Sequence, residues 1–243
     1  MSTREMKETR QVWRLLAAGF VGVTLLLAAC GDGDDEAAGS DELGLVTPGS
    51  LTVCTDVPYP PMEFEDASAP GGYTGFDIEL MRAIAEDNGL DLVVEIPGWD
   101  AITSGLAMES NTCDISAASI TITDEREENV DFSQSYFSAE QSLMVLAESP
   151  AVEVVSFGEI ADMNLALEAQ EVDGVVTDLV GNQGYIDDNG GAKIIEAYDT
   201  GELYGLAVKE EGSEDLLAAV NASLSKFQDD GTYDEIYGEW FSG

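Results

Sequence analysis

Cys113-Asp-Ile-Ser-Ala-Ala-Ser-Ile-Thr-Ile-Thr-Asp-Glu-Arg126 joins two unlike kinds of sequence in one short span. Residues 114–119 read as a buried strand of small and apolar side chains, and the remainder turns to hydroxyls and acids and ends on an arginine. In open α/β sheets, ligands sit beyond the C-terminal ends of the strands. A strand that runs out into Ser119, Thr121 and Arg126 therefore marks a candidate site as well as a fold.

The segments around it supply the rest of an α/β pattern. Upstream, residues 51–54 read as a short buried strand that ends in a loop rich in proline (Pro58, Pro60, Pro61). Ile78, Met81, Ile84 and Ala85 recur at helical spacing, and Gly89 is a natural stop. Residues 92–96 form a second strand and 101–108 a helix. Strands that alternate with helices predict a parallel sheet. Downstream, strands are expected at 142–147, 152–157, 173–177, 193–197 and 203–208, with a helix at 160–171. Two helices close the chain. Leu216, Leu217, Val220, Leu224 and Phe227 line the first, Gly231 stops it, and Tyr233, Ile236, Tyr237 and Trp240 line the second. There is no internal repeat and no glycine-rich phosphate loop.

Composition removes several function classes. The chain has 243 residues, 44% of them hydrophobic, and carries 49 acidic against 9 basic groups. Four of the basic ones (Arg4, Lys7, Arg10, Arg14) precede residue 15. Such a surface repels nucleic acid and anionic headgroups, so no nucleic-acid partner is expected. It suits a solvated surface in a salty medium, where attraction of cationic ligands would be largely screened. Histidine is absent. That excludes Ser-His-Asp and Cys-His nucleophiles and histidine-based metal sites, so an enzyme here would have to run on carboxylates, Lys, Tyr or Arg. No catalytic residue, metal or cofactor is expected.

The N-terminus reads as an address. A basic start leads into an apolar run at 15–29, too short for an ordinary membrane span and suited to a signal peptide. Leu27-Ala28-Ala29-Cys30 matches the bacterial lipobox, which makes residues 1–29 a lipoprotein signal and Cys30 the lipid attachment point. Residues 30–50 are Gly, Asp, Glu, Ala and Ser with few large apolar groups and read as an acidic, disordered tether. The expected location is the outer face of the cell membrane, or the periplasm, on a lipid anchor. Cys54 and Cys113 remain; an even pair in an exported chain suggests a disulfide, with two buried thiols as the alternative.

Candidate site residues cluster at the predicted strand ends: Asp56 and Tyr59 after the first, Trp99 after the second, Ser119, Thr121 and Arg126 after the third, and Asp178 after 173–177. The set suits a zwitterion. An arginine fork and a hydroxyl (Arg126, Thr121) fit a carboxylate, while Asp178 and the Ser119 carbonyl fit an ammonium with its three donors. Each has a plainer reading. Arg126 could answer Glu125, Glu127 or Glu128 at the surface, Asp178 could cap a helix, and Trp99 could be core.

Together these segments resemble the family 3 solute-binding proteins, the polar amino-acid binders of ABC importers. The resemblance rests on Thr55-Asp-Val-Pro-Tyr-Pro-Pro-Met-Glu-Phe64, Gly75-Phe-Asp-Ile-Glu-Leu80, Trp99-Asp-Ala-Ile102, the quoted 113–126 segment, Val130-Asp-Phe-Ser133, Val172-Asp-Gly-Val-Val-Thr-Asp178 and Asp230-Gly-Thr-Tyr-Asp-Glu-Ile-Tyr-Gly-Glu-Trp-Phe241. It implies a two-lobed, type II periplasmic-binding-protein-like α/β fold with a two-strand hinge. Lobe 1 would hold 51–141 and 206–243, and lobe 2 would hold 142–205. It implies a monomer that closes on a free polar amino acid and presents it to the ABC transporter's membrane subunits. Arg126 and Thr121 would take the carboxylate, Asp178 and Ser119 the ammonium, and Tyr59, Trp99 and Asp56 would surround the side chain, with glutamine or a cationic amino acid favoured.

The chain departs from the pattern at one place. Ser149-Pro150 runs straight into Ala151-Val-Glu-Val-Val-Ser-Phe157, where relatives carry a further strand, a Gly-Thr-Thr-Gly-like loop and a helix. A reduced lobe 2 with unpaired strand edges and one fewer carboxylate clamp is the expectation. Two rival readings are a carboxylate-dependent dehydratase on the same fold, and a sensor or interaction lobe that binds no ligand.

Overall fold

A computed structural model describes residues 43–146 and 155–241. The signal segment 1–29, Cys30 and residues 147–154, which include the start of the expected 152–157 strand, lie outside the described residues. Residues 155–157 carry no strand.

The first sheet is built from β1 (Ser50–Cys54), β4 (Asp91–Glu95), β5 (Ile115–Ser116), β6 (Val130–Phe132) and β10 (Ala207–Lys209), in the order β4-β1-β5-β10-β6. A small hairpin, β2 (Phe64–Glu65) with β3 (Tyr73–Thr74), precedes helix α1 (Phe76–Asp87). β1 is buried on both faces and pairs in parallel with β4 and β5, because α1 and the helical segment before β5 carry the chain back across the sheet. The expected parallel sheet is only half correct. β10 alone is reversed, antiparallel to both β5 and β6, since the chain returns to it from the second sheet with no helical crossover.

The expected 101–108 helix is two short ones, α2 (Trp99–Thr103) and α3 (Leu106–Glu109). Gly105 separates them at φ +77°, and a Cβ there would lie 2.8 Å from the Asn129 carbonyl oxygen. Trp99 opens α2 instead of sitting in a loop. The strand expected at 114–119 is confined to Ile115–Ser116.

Helices α6 (Glu214–Asp230) and α7 (Thr232–Phe241) pack on α1, with Gly231 in the left-handed conformation between them. Phe76 is fully buried in an aromatic cluster with Tyr136, Phe137, Tyr233, Tyr237 and Phe241, at ring separations of 5.3–6.3 Å. Cys54 and Cys113 are joined by a disulfide that ties β1 to the segment before β5. The last part of the expected tether is packed: Leu43 is 3% exposed in the core. The Asp114 carboxylate accepts from the backbone of Val46 at 2.6 Å and of Thr52 at 2.8 Å. Apolar Leu43 and this buried anchor outweigh the polar composition of residues 43–50.

The second sheet has β7 (Phe137–Leu146) at its centre, flanked by β8 (Gly174–Asp178) and β9 (Ala192–Tyr204), all antiparallel. The chain enters along β7 and returns along β9, so these long strands must oppose each other. β9 fuses the expected 193–197 strand with the start of the 203–208 strand, and Gly205 and Leu206 separate it from β10. Helix α4 covers Ile160–Glu168, shorter than expected. Helix α5 (Leu179–Asn189) was not expected at all. The core here is small: Met144, Leu167, Val175 and Tyr185 are its buried members. Phe137 and Tyr204, at the other ends of β7 and β9, belong to the first core, so these two strands run from one core to the other.

Candidate functional site

All seven sequence-selected residues line one cavity of about 570 Å³ between the two sheets: Asp56, Tyr59, Trp99, Ser119, Thr121, Arg126 and Asp178. β1 delivers Asp56 and Tyr59, β5 leads to Ser119 and Thr121, and a single turn holds Arg126. From the other side, β8 supplies Asp178 as its last residue.

Arg126 is half-buried and makes no salt bridge with Glu125, Glu127 or Glu128 among the described residues, although the Glu125 charge acts on it. Its Nη1 donates to the Thr121 carbonyl at 2.8 Å, and its guanidinium lies 5.2 Å from the Trp99 ring centre. The carbonyl bond and the ring fix the fork and leave donors for an anion. Burial pulls the Arg126 pKa down, and Asp178 opposes that shift. Thr121 Oγ1 donates to Glu202 at 3.4 Å.

Asp178 stands at the N-cap position of α5 but makes no capping bond with its side chain. Its carboxylate accepts from Tyr59 Oη at 3.2 Å, from Tyr204 Oη and from Gln141 Nε2. A carboxylate offers about four lone-pair sites, so a fourth donor such as an ammonium completes the set. Ser119 holds φ +50°; its N–H donates to Asp77 at 2.7 Å, and its carbonyl accepts no hydrogen bond among the described residues.

The cavity is acidic. Its lining has five carboxylates (Asp56, Glu63, Glu159, Asp178, Glu202) against one cation, Arg126, so a bound zwitterion meets an excess of negative charge. Burial, and next the Glu159 charge, push the Asp56 carboxyl up to about 6. Burial first, then the charges of Asp77 and Asp56, raise Glu63 well above the usual carboxylate range. Behind it, burial lifts Asp77 to about 7 against the hydrogen bonds from Ser119 and from Tyr136 at 2.8 Å. Burial also raises Asp178, with the Glu202 charge adding to it.

Sequence reasoning missed Glu63, Gln141, Glu159, Glu202 and Tyr204. Glu63 lay inside the quoted 55–64 segment, yet between Met62 and Phe64 an isolated acid looks like a surface residue. Gln141 and Glu202 meet at 3.1 Å only because β7 pairs with β9, a long-range fact that spacing does not show.

The two sides of the cavity touch through glycines. A Cβ on Gly181 would lie 2.2 Å from the Tyr59 ring, and one on Gly184 would lie 1.9 Å from the Pro60 carbonyl oxygen. α5 therefore seats its bare backbone on the proline-rich loop after β1 and fixes the Tyr59–Asp178 contact.

The model of the bacterial extracellular solute-binding proteins, family 3, matches residues 51–243. The chain is 31% identical over 201 residues to the ABC transporter glutamine-binding protein GlnH of Bacillus subtilis (strain 168), covering 70% of this chain and 73% of that one. It is 28% identical to a "Probable histidine-binding protein" of Neisseria gonorrhoeae over 264 residues, covering 93% and 95%. That span exceeds the chain's 243 residues, so the relative carries residues with no counterpart here. Among solved structures, an ancestral arginine-binding protein bound to glutamine superposes with a TM-score of 0.74 at 30% identity, covering 81% of this chain and 100% of that one.

Proposed function

The chain belongs to the bacterial extracellular solute-binding proteins, family 3, and from that premise we propose that it captures a free polar amino acid between its two lobes and hands it to the membrane subunits of an ABC importer. The observation that carries this reading is the pairing across the cavity: Arg126 on one side has donors to spare, and Asp178 on the other has room for one more donor. The ligand carboxylate binds Arg126 and Thr121. Its ammonium binds Asp178 and the Ser119 carbonyl. Tyr59 and Trp99 enclose the side chain, and Asp56 meets its far end.

A ligand that touches both lobes binds the closed arrangement better than the open one and so shifts the population toward it. β7 and β9, which run between the two cores, are the natural hinge. Closure presents one shape to the transporter. Cys30 would tether the chain as a lipid-anchored monomer at the outer membrane face or in the periplasm.

Even with Glu63 kept protonated by burial, the acidic groups of the lining outnumber Arg126, which favours a cationic amino acid, with glutamine next. The dehydratase alternative asks for an acid with a raised pKa in the cleft, which Asp56 and Glu63 supply, but it has no use for an ammonium partner. Asp178, held by three donors beside the ligand space, favours binding over chemistry.

Thermal unfolding of the purified chain in high salt, against a panel of free amino acids, tests the reading. A ligand at a hundred times its Kd adds about 2.7 kcal/mol of stability. The expected result is a clear upward shift with arginine, lysine or glutamine. A cooperative transition that no amino acid moves would overturn the proposal, and exclusive binding of glutamate would overturn the cationic preference.

A further inference from the structure

Thr121 already has a partner. The hydroxyl that would take the ligand carboxylate donates to Glu202 Oε2 at 3.4 Å. The backbone builds this contact in. Thr121 pairs antiparallel with Tyr204, flanked by Ile122 N–H to the Leu203 carbonyl at 2.8 Å and Gly205 N–H to the Ile120 carbonyl at 3.0 Å. Glu202 stands two residues before Tyr204, so it is the diagonal neighbour of Thr121 on one face of that pairing, within reach of a long side chain. Its carboxylate is held from its own side by Gln141 Nε2 at 3.1 Å and Thr200 Oγ1 at 3.0 Å.

A threonine hydroxyl has one hydrogen to donate, so it cannot serve Glu202 and a ligand carboxylate together. The existing bond is long, since O–H···O bonds centre on about 2.7–2.8 Å. A carboxylate that Arg126 also grips therefore draws the hydroxyl away. Glu202 then keeps Gln141 and Thr200 but stands beside a second negative charge. Its field reaches both ends of the ligand space, where it acts on Arg126 and on Asp178. Among the described residues it makes no salt bridge with Arg126, which leaves that guanidinium to the ligand.

We propose that Glu202 is a specificity-determining residue: in the free protein it holds the hydroxyl that the ligand carboxylate needs, and every amino acid must displace it to bind. The same negative charge attracts the ligand's cationic groups. Displacement therefore weakens a neutral amino acid more than a cationic one, and Glu202 tilts selection toward arginine or lysine over glutamine. This rests on the amino-acid reading, because it takes Arg126 and Thr121 as the carboxylate site.

Isothermal titration in high salt with arginine, lysine and glutamine tests it on the purified parent chain, Glu202→Gln, Thr121→Val and the double variant. Glu202→Gln keeps the shape and removes the charge. It should bind glutamine about fivefold tighter than the parent, the contribution of about one exchanged hydrogen bond, and should gain less on arginine and lysine. In the Thr121→Val background, where no hydroxyl is left to release, the glutamine gain should fall below about twofold. Glutamine bound no tighter by a cooperatively unfolding Glu202→Gln would overturn the proposal, as would an equal gain with and without the Thr121 hydroxyl. Either result leaves the amino-acid reading standing. A parent chain silent toward all three ligands would overturn both.

Discussion

The two lobes solve the same folding problem with very different resources. The first closes its sheet under α1, α6 and α7 and buries Leu51, Val53, Phe76, Leu80, Ile84, Leu216, Val220 and Phe227 in one continuous core. The second buries Met144, Leu167, Val175 and Tyr185, while Val155, Leu165, Val176 and Ile195 are each more than half exposed. A sheet needs cover to bury its apolar faces, and among the described residues the second has less of it. Yet it still presents Asp178 in order. The first core's Tyr59 and Tyr204 hold that carboxylate, and Gly181 and Gly184 let α5 rest on the neighbouring loop. Precision in the weak lobe is borrowed from the strong one.

Phe76→Ala should break the comparison most visibly. Removing the centre of the aromatic cluster costs about 3–5 kcal/mol, read as a lower urea midpoint, and both lobes should lose structure together. The pH dependence comes next. Asp77 titrates near 7 in the folded chain against an ordinary 3.8, so the fold keeps a proton that the unfolded chain releases. The stability this contributes is complete below pH 4 and is lost as pH rises toward 7. At about 1.4 kcal/mol per pH unit it is on the order of 4 kcal/mol. Urea titrations at pH 4.5 and 8 in high salt should show that loss; Asp77→Asn should reduce it, and buried Glu63, raised in the same direction, keeps the remainder. Asp56 affects the ligand instead. With its carboxyl at about 6, affinity for arginine should fall about tenfold between pH 8 and pH 5 as the charge is lost, and Asp56→Asn should abolish the dependence. The smallest effect belongs to the second lobe's surface: Leu165→Ser, at a side chain 61% exposed, should change stability by no more than about 0.5 kcal/mol in the same assay.

How much of this was legible depends on whether the signal was local. The strand at β1 and the stripes of α1, α6 and α7 are local patterns, and their residues stand where spacing put them, apart from frayed boundaries, whereas the 113–126 run keeps only Ile115–Ser116 of its expected strand. Arg126 and Asp178 were legible as chemistry, although only the fold shows that they share a cavity. α5 was not legible, because Leu179-Val-Gly-Asn-Gln-Gly-Tyr-Ile-Asp-Asp-Asn189 breaks helical patterning with two glycines. Those glycines exist for the close approach to Tyr59 and Pro60, a tertiary demand that overrides propensity. The same holds for the antiparallel second sheet, which follows from strand order, and for Glu63, whose buried neighbours Asp77 and Ser119 are distant in sequence.

The central claim is that the ligand is held by both lobes at once, through Arg126 in the first and Asp178 in the second. Isothermal titration of the parent chain, Arg126→Ala and Asp178→Ala with the best amino acid from the thermal panel tests it most directly. The account predicts that each variant loses at least a hundredfold in affinity while keeping a cooperative unfolding transition. If Asp178→Ala binds like the parent while Arg126→Ala does not, the ligand sits on the first lobe alone and the account is wrong.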